Sequence, residues 1–201
     1  MRGRDDADIQ AKLKPVVAEV HRRIGNYVMA EDNDTLEGVI LSQLAAREGS
    51  LAVVETFTGG QIAARIAPLP GAESVFRRGV TARRLDEVYA AIGLDGTPPP
   101  EPPTAGLAEQ VAQAARVQTG ATHALAALVT IEDGEDRIDL GGTVCIAVAT
   151  ADETVSRQSR LAGGRDWVRL GAIEMGLDSL RRYLQGLSVR EKNDFERVET
   201  T

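Results

Sequence analysis

The stretch Leu51-Ala52-Val53-Val54-Glu55-Thr56-Phe57-Thr58-Gly59-Gly60 constrains the fold of this chain more than any other. A short apolar run closed by Glu55 reads as a buried strand. Two hydroxyl residues and a glycine pair follow, and Gln61-Ile62-Ala63-Ala64-Arg65-Ile66 opens a helix. The first amides of a helix are unpaired and aligned, so a hydroxyl and bare N–H groups at such a turn suit an anion or a reacting carbonyl. The alternative is that Thr56 or Thr58 simply caps the helix. On local pattern alone capping is the better account, because short motifs often match by chance.

The rest of the chain alternates in the same way. Ile9, Leu13, Val16, Val17, Val20 and Ile24 recur at helical spacing, with Pro15 as a kink or a start and Gly25 as a stop. Tyr27-Val28-Met29 reads as extended. Asp34 and Glu37 resemble a capping box for a helix with Leu36, Val39, Ile40 and Leu44 on one face. After Leu51–Glu55, strands are expected near 75–82, 121–131, 142–150 and 153–161, with a hairpin turn near Asp152. Helices are expected over 60–67, 85–92, 104–119 (capped by Thr104) and 166–187. Thr97-Pro98-Pro99-Pro100-Glu101-Pro102-Pro103 excludes helix and central strand and reads as an extended loop. Strands alternating with helices, then a hairpin, imply an α/β layer structure with a mixed sheet of roughly five strands. The expected organisation is a helical arm over 1–47, a domain over 48–187 and a charged tail over 188–201. The arm carries an apolar stripe but too little apolar surface to fold alone, so a homo-oligomer is expected.

Charge and composition narrow the partners. The 201 residues are 43% hydrophobic and carry a formal net charge of −7. Nucleic acid and anionic membranes attract basic surfaces, so neither is expected as a partner. Cys145, the one cysteine, lies in an apolar strand-like run and reads as an inert buried thiol. His21 and His123 are too few and too far apart to suggest a metal cluster, and no metal or other cofactor is expected. No signal peptide or membrane-length apolar run is visible, which makes the cytoplasm the expected location.

Several segments together resemble the C-terminal domain of the competence/damage-inducible CinA family, whose active members are nicotinamide mononucleotide amidohydrolases. The family's opening motif, Glu-Ser-Cys-Thr-Gly-Gly, stands here as Glu55-Thr56-Phe57-Thr58-Gly59-Gly60. Pro70-Gly71-Ala72-Glu73-Ser74-Val75-Phe76-Arg77-Arg78-Gly79-Val80, Gly142-Thr143-Val144 and Gly164-Arg165-Asp166 follow the family pattern. Upstream, Arg23-Ile24-Gly25 and Tyr27-Val28-Met29-Ala30-Glu31-Asp32 resemble the piece that joins this domain to the one before it in full-length members. The resemblance implies a three-layer α/β/α sandwich with a mixed sheet. It also implies a site containing Thr56 as nucleophile, with Glu55, Thr58, Gly59, Gly60, Arg83 and Arg165 in contact with substrate.

The chemistry departs from the family at three positions. The family's nucleophilic Ser is Thr56, and its assisting Tyr and Lys fall on Arg83 and Val88 when counted without a gap from Gly79. Val moves no proton, and Arg stays protonated near neutral pH, so neither is a general base. Asp86 or Glu87 would substitute only if the local backbone differed. The loop Glu132-Asp133-Gly134-Glu135-Asp136 adds carboxylates where active relatives have a Gly-Ile-Ala-Gly-Pro loop; they would repel a phosphate if they faced the pocket, and a solvated turn is the better account. The expected function is therefore a divergent domain that keeps the fold, has lost or reduced deamidase activity, and binds a small anion or nucleotide or serves as an interaction module. The alternative is an active amidohydrolase with Thr56 as nucleophile.

Overall fold

The computed structural model describes residues 5–31, 33–99, 102–132 and 141–190. The chain divides into two units between Thr35 and Leu36. In the first, α1 (Asp6–Ile24) begins at Asp5, whose side chain accepts from Asp8 N. The helix runs through Pro15 without a break. The segment expected to be extended starts instead with a 3₁₀ turn over Gly25–Tyr27.

The second unit is built on five strands: β1 (Leu51–Glu55), β2 (Phe76–Thr81), β3 (His123–Glu132), β4 (Gly141–Ala149) and β5 (Thr154–Ala162). Their order is β2-β1-β3-β4-β5. β1 is parallel to β2 and to β3, whereas β3–β4 and β4–β5 are antiparallel. This is the mixed sheet expected from the alternation of elements. Helices α2 (Leu36–Ala45), α3 (Gln61–Ile66), α4 (Ala72–Val75) and α7 (Arg165–Leu184) share one apolar cluster with the sheet. Helices α5 (Leu85–Ile92) and α6 (Ala105–Thr119) share the other. The three-layer sandwich follows.

Side chains along a strand alternate between faces, and β1 shows why both faces need cover. Leu51 and Val53 join the α2/α3/α7 cluster, while Ala52 and Val54 join the α5/α6 cluster. All five residues of the strand are buried, which is why β1 is a continuous apolar run rather than an alternating one. The α6 face is dominated by small residues: Ala124, Ala126, Ala147 and Ala149 meet Ala108, Ala112 and Ala115. The opposite face is filled by branched chains such as Leu125, Ile146, Ile40 and Leu180.

Several local signals are realised. Thr104 caps α6 by accepting from Leu107 N, and Thr150 N donates to Glu153 O at the turn between β4 and β5. Two are not. Helix α2, which the sequence assigns to the arm, lies in the core of the sheet domain, because Leu36, Ile40, Leu41 and Leu44 are buried with it. The capping-box role of Glu37 gives way to an ion pair, in which Glu37 Oε1 accepts from Arg65 Nε. Within the expected tail, residues 191–201 lie outside the described residues, as do Pro100 and Glu101 of the proline-rich loop.

Gly142, at the start of β4, sits close against both β3 and α7. A Cβ there would lie 2.6 Å from Thr130 O and 2.8 Å from Val168 Cγ1. Real contacts of this kind are relieved only by moving backbone. Gly142→Ala is expected to lower stability by about 1–3 kcal/mol, measured by urea unfolding. Gly106→Ala, whose Cβ would meet nothing nearer than 3.9 Å, is the control and should leave the unfolding midpoint unchanged or slightly raised.

Candidate functional site

The chain after β1 turns sharply because Gly59 and Gly60 both adopt left-handed backbone, with φ of 70° and 83°. A residue with a Cβ is strained in that conformation. The turn aims α3 back at the end of β1, and the carboxylate of Glu55 fills the space. Glu55 is 0% exposed. Its Oε2 accepts from the Thr58 hydroxyl at 2.5 Å and from Ile62 N at 3.0 Å, and its Oε1 accepts from Ala63 N at 2.9 Å. Two of the amides at the start of α3, those of Ile62 and Ala63, are therefore occupied by the protein's own carboxylate. Neither threonine caps α3. Thr58 donates its hydroxyl to Glu55, and Thr56 faces the neighbouring strand.

Thr56 is 5% exposed. Its N–H donates to Ala127 O at 3.2 Å, and its Oγ1 accepts from Val129 N at 2.9 Å. The hydroxyl thus extends the β1–β3 ladder past the strand end. One lone pair on Oγ1 is committed to an amide, which lowers its capacity to attack a carbonyl, and little of the residue is open to a substrate. Among the described residues, the positions at which the resemblance implies proton transfer supply no base. Val88 is 0% exposed within the α5/α6 cluster, and Tyr89 beside it is buried in the same cluster. Asp86 accepts from Arg84 Nε at 2.9 Å and from Arg84 Nη2. Those bonds hold its carboxyl below the usual range and make it a weaker base. Glu87 is exposed on α5.

The arginines behave differently from the threonines. Arg83, in the loop between β2 and α5, lies with its Cζ 4.7 Å from the centroid of the Phe57 ring. Arg165, the first residue of α7, lies 5.6 Å from the same ring. Two cations far apart in sequence are brought onto one aromatic platform, each contact contributing about 0.5–1 kcal/mol at an exposed site. Both arginines are exposed, so a ligand can reach them. Arg84, the next residue, pairs with Asp86 instead. The N-cap of α7 is Gly164, which makes no side-chain cap. The platform itself, Phe57, is the residue the sequence reading passes over. Its signal is present: one of only three phenylalanines in the chain occupies a motif position where relatives carry Cys.

Of the acidic loop, Glu132 pairs with Arg160, and Asp133 to Asp136 lie outside the described residues. Two clefts, of about 680 and 540 Å³, have no lining residue in common with this corner. No helix among the described residues is long and apolar enough to cross a membrane.

If Thr56 is a strand-end brace, its oxygen matters and its methyl does not. Thr56→Ser is expected to keep most of the stability. Thr56→Val leaves the Val129 N–H without its partner and should cost about 1–3 kcal/mol. Urea unfolding of the two variants separates these outcomes.

Comparison with known proteins adds the lineage. A family model described as the CinA C-terminal domain matches residues 33–184. A CinA-like protein of Frankia casuarinae is 35% identical over 188 residues, spanning 92% of this chain and 43% of that protein. A CinA-like protein of Thermosynechococcus vestitus is 34% identical over 194 residues, spanning 92% of this chain and 46% of that one. The chain thus spans less than half the length of these relatives. Among solved structures, a competence or damage-inducible protein from Enterobacter asburiae superposes with a TM-score of 0.62 at 20% identity, covering 76% of this chain and 99% of its own. A CinA superfamily protein from Klebsiella pneumoniae gives 0.64 at 20% identity, covering 75% and 96%.

Proposed function

Given that this chain belongs to the CinA C-terminal domain family, we propose that it is a divergent cytoplasmic member with lost or strongly reduced deamidase activity, which binds a small anion or a nucleotide at the Arg83–Phe57–Arg165 corner. The observation that carries this reading is the engagement of the Thr56 oxygen by Val129 N, where the family resemblance implies a free nucleophile. General acid–base assistance is worth about 10²–10⁴-fold in rate, and Arg83 and Val88 supply none of it. Arg83 and Arg165 offer forked donors suited to a phosphate or carboxylate, and both lie against the Phe57 ring.

The reading includes self-association through α1. This helix buries none of its residues, and Val16, Val20 and Ile24 are exposed along one stripe. Its first turn is acidic, with Asp6 and Asp8, and its last turn is basic, with Arg22 and Arg23. A second copy laid antiparallel would bury both stripes and pair the opposite charges. Light scattering at micromolar concentration is expected to give a mass above that of one chain, and Val16→Glu/Val20→Glu should return it to the monomer value. A monomeric wild type would rule this out.

Two measurements test the site. Ammonia release from nicotinamide mononucleotide should be at least about a hundredfold slower than in a relative with the full Ser, Tyr and Lys set, and Thr56→Ser should not restore it. Robust release that vanishes in Thr56→Ala would establish the active amidohydrolase instead. For binding, the single tryptophan, Trp167, lies beside Arg165 on an exposed turn. Its fluorescence should titrate with nicotinate mononucleotide, and Arg83→Ala should weaken that titration by about tenfold or more.

A further inference from the structure

A second constellation lies at the opposite end of the sheet. There Ser50 and His123 sit at the N-terminal ends of β1 and β3, about 20 Å along the strand direction from Thr56. A cleft of about 540 Å³ opens here, and its polar lining is Arg47, His123, Glu153, Tyr183, Ser188 and Arg190. All of these belong to the sheet domain.

The hydrogen bonds around His123 fix which of its nitrogens can receive a ligand. Thr122 Oγ1 has one hydrogen, and it is directed to Ser50 O at 3.0 Å. The same oxygen accepts from Ser50 N at 2.7 Å. The same oxygen lies 2.7 Å from His123 Nδ1, and with the hydroxyl hydrogen directed to Ser50 O the matching tautomer is the one in which Nδ1 donates to Thr122. Nε2 is then left as an acceptor. Burial and the charge of Arg47 push the imidazole below its usual range, which keeps that acceptor available at neutral pH. Tyr183 packs edge-on against the ring at 6.2 Å between centroids.

The charged groups are also held. Arg47 donates from Nη1 to Gln43 O at 2.8 Å and from Nη2 to Leu184 O at 2.7 Å. Those bonds anchor the guanidinium and use only two of its five N–H groups. Arg190 donates from Nε to Ser156 O at 3.3 Å. Two anchored guanidiniums, one carboxylate and one imidazole acceptor share a cleft whose remaining wall includes the apolar chains of Val155, Leu187 and Val189.

We infer that this cleft binds a zwitterionic amino acid with an apolar side chain. Its carboxylate would lie on Arg47 and Arg190, its ammonium would donate to Glu153 and His123 Nε2, and its side chain would lie on Val155, Leu187 and Val189. A lone anion would leave Glu153 opposed to it, and a lone cation would meet two arginines. Only a ligand carrying both charges matches the whole lining. The inference is independent of the reading at Thr56 and Arg83, because the two sites share no residue.

The test is an NMR titration of the isotope-labelled protein with L-leucine, against 4-methylpentanoic acid, which lacks the ammonium, and isoamylamine, which lacks the carboxylate. Saturable shifts are expected at the His123 ring and the Arg190 amide with L-leucine, and each half-ligand should bind about tenfold more weakly or worse. Glu153→Gln should weaken L-leucine while strengthening 4-methylpentanoic acid, which no longer meets an opposing carboxylate. Arg47 also braces two helix ends, so the half-ligand comparison in the unaltered protein stands in for Arg47→Ala if that variant does not fold. Absence of saturation at these residues, or equal binding of either half-ligand, would overturn the inference.

Discussion

A buried carboxylate organises the end of β1. Leaving Glu55 without partners in the interior would be strongly unfavourable, and three donors remove that cost: the Thr58 hydroxyl and the amides of Ile62 and Ala63. The arrangement works in both directions. The carboxylate satisfies amides that α3 would otherwise leave unpaired, and α3 in return fixes the carboxylate. Everything between them, including Thr56, Phe57 and the glycine pair, is held in one closed loop. That loop decides where the Phe57 ring lies and which strand Thr56 can reach.

The consequences for chemistry follow from the two residues inside the loop. Thr56 is drawn onto β3, and its oxygen serves Val129 N. Phe57 turns the other way and collects Arg83 and Arg165. The corner therefore has cations and an aromatic surface where the family resemblance implies a proton-transfer set. Binding needs only complementary charge and access. Turnover also needs a base, and the described residues around Thr56 place none beside it: Val88 is core, and Asp86 is committed to Arg84.

The two ends of the sheet are built on different terms. At the C-terminal end of β1, two amides of α3 are taken by Glu55 and the side-chain cations stand exposed. At the N-terminal end, hydrogen bonds among Ser50, Thr122 and His123 orient an imidazole and leave one of its nitrogens open. In both places a hydroxyl that reads in sequence as generic polar filler decides the function of its neighbour, because a hydroxyl has one hydrogen and its direction is set by the groups around it.

Much of the architecture is legible in the sequence, and for a local reason. Apolar runs, the cap at Thr104 and the turn before Glu153 are properties of adjacent residues, so the strands and α6 fall within a few positions of where periodicity puts them. The mixed sheet follows from helices between the early strands and a hairpin between the last two. Other features are decided only when the chain is folded. Glu55 rather than a threonine caps α3, because the glycine turn brings the helix start back onto a residue several positions earlier. Leu36–Ala45 joins the sheet domain because its apolar face finds α7 and α4, a surface that does not exist in the linear chain. Arg83 and Arg165 meet on Phe57 because the order β2-β1-β3 brings the ends of separate segments to one corner. Residue type and spacing determine which elements form; which side chains share a site depends on contacts between residues distant in sequence, and only the packed sheet supplies those.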